Sequence, residues 1–163
     1  MNGAIGNALL FKLAIIFTII LSSLFISSLA YSKAYKVKNK IIEEIEKQGE
    51  YSKNPEGAYA AAQSEILAWL NGVNGQGIGY KKNNNKYNSR CTQEKYASLG
   101  KLQNTMSDYS YCVYLMDTCN ENTRDKCGVY YHVIAYMYVD FPLIEEFPIP
   151  IHGETMTFIK KRS

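Results

Sequence analysis

The residues of this chain best equipped for chemistry are four cysteines and two histidines. Cys91, Cys112, Cys119 and Cys127 could form disulfides, hold a metal or act as nucleophiles, and four cysteines allow three pairings. No C-x-x-C occurs and the spacing fits no standard finger, so neither a zinc ligand set nor a redox dithiol is expected. Cys119 and Cys127 flank the polar loop "TCNENTRDKC" between two strand-like runs, and an antiparallel hairpin would bring them together. The expected bridge is therefore Cys119–Cys127, which leaves Cys91–Cys112 as the second pair. Such bridges imply an oxidising compartment outside the membrane.

His132 lies inside a strand pattern, where a packed or surface role is the ordinary one. His152 and Glu154 stand two apart in "IHGET" and so share a strand face, but this pair of ligands alone is not expected to hold a metal. Glu43, Glu44 and Glu46 form a charged helix face, and Glu145 and Glu146 fall in a Pro-rich turn, where solvation is sufficient explanation. No G-x-S-x-G, phosphate-cradling Gly loop or H-E-x-x-H is present. The chain is read as a non-enzyme with no catalytic residue, metal or cofactor. Its formal charge of +3 is small and dispersed, so nucleic acid is not an expected partner.

These residues depend on elements of two different kinds. Residues Leu13 to Tyr31 carry no charge and are dense in Ile, Leu and Phe, long enough for a helix to cross a hydrocarbon core of about 30 Å. Ser22, Ser23, Ser27 and Ser28 are tolerable there because a helical serine can bond back to its own backbone, and Lys12 at the boundary can snorkel. A cleaved signal peptide is the competing reading, with "SSLAYS" as the cleavage region. The following segment continues the helix without a turn signal, which favours a retained anchor. Lys33, Lys36, Lys38 and Lys40 follow the span, so the positive-inside rule would keep the carboxyl side in the cytoplasm. The cysteines argue for the opposite side, and we follow the cysteines.

"SKAYKVKNKIIEEIEKQG" aligns Ala34, Val37, Ile41 and Ile45 in one apolar stripe, with Gly49 as the expected helix stop. Anchor and stem together would make one helix of roughly 40 residues, about 60 Å long. A second helix follows, capped by Asn54 with Pro55 at its first position and Glu56 near the positive dipole end. Tyr59, Ala62, Ile66 and Leu70 form its inner face, with Trp69 beside them, and Gly72 ends it. The Gly- and Asn-rich stretch after it reads as a long loop, whose Lys81, Lys82, Lys86 and Arg90 are expected to be solvated.

"YSYCVYLMD" and "GVYYHVIAYMYVDF" read as strands, the second apolar on both faces and so covered on both. Pro142, Pro148 and Pro150 mark a connection that should lie outside a sheet. "IPIHGETMTFIKK" is the last strand, with Gly153 expected to form a bulge or bend. The fold class is α+β. Residues 1–31 hold the transmembrane helix, 32–49 the amphipathic stem, and 50–163 an extracytoplasmic head with a second helix and a small disulfide-bonded antiparallel sheet. The tyrosines are expected to give the head a contact surface.

Two stretches, "KVKNKIIEEIEKQG" after the span and "VIAYMYVDFPLIEEFPIPIHGETMTFIKK" near the end, resemble pilin-like and TadE-like pseudopilins of Gram-positive bacteria. The second is similar to their carboxyl-terminal strand, Pro-containing turn and "GET"-like strand. The resemblance implies a membrane-anchored minor subunit or assembly factor of a pilus or secretion filament, with membrane lipid and other pilin-like subunits or assembly proteins as partners. Helix packing would then use Ile15, Ile16, Ile19, Ile20 and Phe25. Prepilins are cut after a glycine, with a glutamate shortly after it. Here Gly3 and Gly6 are followed by Lys12 and no acid, which suits a minor or unprocessed subunit better than a core pilin. The alternative is a monomeric surface-anchored binding module for a polymer or host ligand.

Overall fold

The computed structural model describes residues 2–51, 54–72, 91–92, 98, 100–104, 109–119, 127–141 and 144–159. Helix α1 runs unbroken over Asn2–Tyr51, 50 residues or about 75 Å. It extends past Gly49, which does not stop it as expected. The ring of Phe158 occupies the space a Cβ would need there, so this glycine admits a close contact instead of ending a helix.

A single 3₁₀ turn, Pro55–Gly57, leads into α2, Ala58–Asn71. The α-helix thus starts later than expected. Pro55 opens the 3₁₀ turn, and no cap bond comes from the Asn54 side chain. Gly72 terminates α2 at φ 69°, a backbone conformation that side chains rarely adopt.

The sheet contains β1 (Lys101–Leu102), β2 (Tyr111–Asp117), β3 (Gly128–Phe141), β4 (Ile144–Glu154) and β5 (Phe158–Ile159). Its order is β1-β2-β3-β4, with β5 also pairing with β3, and every pairing is antiparallel. Alternation assigns the two faces. Val129, Tyr131, Val133, Ala135 and Met137 of β3, with Tyr111 and Val113 of β2, face the helices. They meet Ala34, Val37, Ile41 and Ile45 of α1 and Tyr59, Ala62, Ile66 and Leu70 of α2. Each large aliphatic side chain buried here contributes about 1.5–3 kcal/mol. The opposite face gathers Cys112, Tyr114, Met116, Ile134 and Tyr136 into a second, smaller cluster.

Tyrosine hydroxyls fasten α2 to the sheet. The Tyr131 hydroxyl lies 2.7 Å from the Glu56 carbonyl and accepts from the Tyr59 amide at 3.4 Å. Tyr59 and Tyr111 hydroxyls sit 3.2 Å apart, and Tyr109 donates to Asn71 at the far end of the helix. Burial raises the pKa of both Tyr59 and Tyr131 above the usual phenol value, so both remain protonated donors. For six of the described tyrosines the expected display is corrected. Tyr59, Tyr109, Tyr111, Tyr114, Tyr131 and Tyr136 are buried and serve the core.

Pro148 and Pro150 do lie in the sheet, within β4 opposite Tyr138 and Tyr136. Because β4 is an edge strand, residues at alternate positions turn their backbone nitrogens away from β3, where proline costs no ladder bond. Pro142 is outside the described residues. Gly153 pairs in regular register with Val133, and the register shift of this ladder falls at Val139/Phe141 instead. What Gly153 provides is room for α1: a Cβ there would lie 2.7 Å from Lys38 and 2.8 Å from Ile42. At the other side of the sheet, the Asn104 side chain stands in for a strand. It donates to the Tyr111 carbonyl at 2.6 Å and accepts from the Val113 amide at 2.7 Å.

Candidate functional site

The most unusual surface of the molecule is the amino-terminal half of α1. From Leu9 to Leu29 its large side chains are exposed around the helix, whereas the same helix is buried on one stripe from Ala34 onward. Ile15, Ile16, Ile19, Ile20 and Phe25 all belong to the exposed part, Phe25 to 67%. Four hydroxyls of this half turn inward on their own backbone. Thr18, Ser22, Ser23 and Ser27 each donate at 2.8 Å to the carbonyl four residues earlier. A helix apolar on all sides, with these four hydroxyls satisfied internally, suits a hydrocarbon environment. By length and composition this helix can cross a membrane.

The apolar half ends in a polar-aromatic collar. The rings of Tyr31 and Tyr35 stack at 6.1 Å, and the Lys38 ammonium lies 4.3 Å from the Tyr35 ring centre. Aromatic and basic residues of this kind favour the boundary between membrane and water. Beyond it, Lys40 pairs with Glu44 at 2.8 Å and with Glu43 at 3.2 Å. The Glu44 hydrogen bond holds the Lys40 pKa above the ordinary lysine value.

In the head, disulfides join Cys91 to Cys112 and Cys119 to Cys127. The first ties the segment before β1 to β2, and the second closes the connection between β2 and β3. These bridges accord with a head outside the cytoplasm, carried by a helix apolar enough to anchor it in a membrane. Asp117 lies close to the second bridge, where both sulfurs are already bonded to each other and offer no thiolate.

Sequence reasoning missed one cluster. It paired His152 with Glu154 along a strand, whereas the structure sets His132 between them. The Nδ1 of His132 lies 3.1 Å from Glu154 Oε1, and its Nε2 lies 3.1 Å from His152 Nδ1. His132 is buried, while His152 and Glu154 are exposed. Register explains the meeting. Glu154 is directly opposite His132 on the neighbouring strand, and His152, opposite Ile134, is its diagonal neighbour on the same face. No local spacing signals this; only the β3–β4 pairing does.

A polar cavity of about 410 Å³ is lined by Glu56, Lys101 and Asp117 among others, with no histidine or cysteine in its described wall. The basic residues Lys81, Lys82, Lys86 and Arg90 lie outside the described residues. Comparison of the chain with family models, curated proteins and solved structures finds no match.

Proposed function

We propose that this protein is a membrane-anchored, pilin-like subunit, of the minor pilin or pseudopilin kind, or an assembly component of a surface pilus or secretion filament. The supporting observation is one unbroken helix with two differently clothed halves. Its second half is integral to the head, and its first half projects with apolar side chains exposed around the helix. Such a surface must be covered by lipid or by other apolar helices. Ile15, Ile16, Ile19, Ile20 and Phe25 are the contacts through which neighbouring subunits would pack. The resemblance of the stem and of the β3–β4 stretch to TadE-like proteins supports the same reading. The burial of six tyrosines takes support from the rival, a monomeric module binding through a tyrosine-rich sheet.

The test is crosslinking in native envelopes, with cysteine placed at Ile16 or Ile20. Ladders containing further copies or other apolar-helix subunits are expected. A lone monomer under the same conditions would sink the assembly role and leave an anchored binding module.

A further inference from the structure

We propose that His132 and His152 form a two-imidazole site for a divalent transition ion such as Zn²⁺, with Glu154 as its orienting partner. The inference is independent of the pilin-like reading. A carboxylate only accepts hydrogen bonds, so Glu154, 3.1 Å from His132 Nδ1, assigns the ring proton to that nitrogen. The lone pair of His132 therefore sits on Nε2, directed at His152 Nδ1 3.1 Å away. Two nitrogens bound to one tetrahedral zinc at 2.0–2.1 Å stand about 3.3 Å apart. The pair is thus already near chelating distance; binding requires the proton held between the rings to leave and the exposed His152 ring to turn so that both lone pairs meet on one ion.

The carboxylate behind a ligating imidazole is the usual device for fixing its tautomer and raising its basicity. His132 is rigid because it is buried in β3, and His152 is exposed, so solvent can complete the coordination. The ion would join β3 to β4 across the face opposite the helices, next to Gly153, where β4 meets α1.

The chain contains only these two histidines, so selective ¹⁵N-histidine labelling reports on the site alone. The full chain in detergent micelles, stripped of metal, would be titrated with Zn²⁺ by calorimetry and by NMR. One equivalent is expected to shift the resonances of both rings together. His152→Ala should weaken Zn²⁺ binding at least tenfold with the head still folded, and Glu154→Gln about tenfold. The proposal is overturned if no Zn²⁺ binds up to millimolar concentration, if only His152 responds, or if His152→Ala costs less than tenfold. Those outcomes would reduce the cluster to a proton shared between two rings.

Discussion

The two halves of α1 are one helix by backbone and two different objects by side chain. From Leu9 to Leu29 apolar residues point in all directions and none of the large ones is buried. Farther along, Ala34, Val37, Ile41 and Ile45 form one stripe, and that stripe is fully buried against α2 and the sheet. The hydrogen bonds of the helix continue through both, so the difference lies in the medium each half is built to meet. The packed half owes its place to tertiary contacts. The projecting half keeps its large side chains exposed among the described residues and depends on what surrounds it.

The contrast is most open to attack at single isoleucines. Ile41→Ala should destabilise the head by about 2–5 kcal/mol, while Ile19→Ala should leave it within about 0.5 kcal/mol. Chemical denaturation in micelles, followed by the fluorescence of the single tryptophan, Trp69 beside the core, reads both. Equal losses would mean that the projecting half packs on the head after all.

Reduction comes next. Opening the two bridges should cost the head about 3 kcal/mol or more and lower its Tm. The helicity of the projecting half should survive in micelles, since neither bridge touches α1. Circular dichroism with and without reductant separates the two. Loss of all helix together would show that the halves fold as one unit.

A smaller effect is expected from added bulk. Gly153→Val drives a side chain into Lys38 and Ile42 and should cost about 1–3 kcal/mol. Ser28→Val, on the exposed half, should leave head stability unchanged in the same thermal melt.

The smallest effect belongs to the ion pair above the collar. Because Glu44 raises the Lys40 pKa above the ordinary lysine value of 10.5, the pair's stabilisation is complete below about pH 10.5 and fades as pH rises through the higher folded value. Glu44→Gln should therefore cost less than about 1 kcal/mol near neutrality. The gap between variant and parent should close only in strongly alkaline solution. A gap that closes below pH 9 would assign the effect to another group.

Much of the fold was legible because its periodicities are strong. The stripe of Ala34, Val37, Ile41 and Ile45 and the inner face of α2 required only helical spacing. The strand runs declared themselves by aromatic and β-branched content, and the two apolar faces of β3 correctly implied cover on both sides. What escaped notice depends on partners distant in sequence. Pro148 and Pro150 argue against a strand until β4 is known to be an edge. Gly49 and Gly153 look like breaks until Phe158 and α1 are seen pressing on them. The tyrosines read as surface residues because their hydroxyls are polar, yet those of Tyr131, Tyr111 and Tyr109 find partners inside, on the 3₁₀ turn and on α2. The histidine cluster could not be foreseen without the β3–β4 register, since His132 and His152 are twenty residues apart in the chain.

The continuity of α1 makes the molecule a lever. No proline or hinge separates the exposed half from the stem, so the head has no orientation of its own relative to that half. The stem beyond Tyr31 is about 30 Å long. A tilt of about 20°, ordinary for a membrane helix, would swing its far end sideways by about 10 Å and rotate the whole sheet with it. Whatever covers the exposed half and sets its angle thereby aims the head.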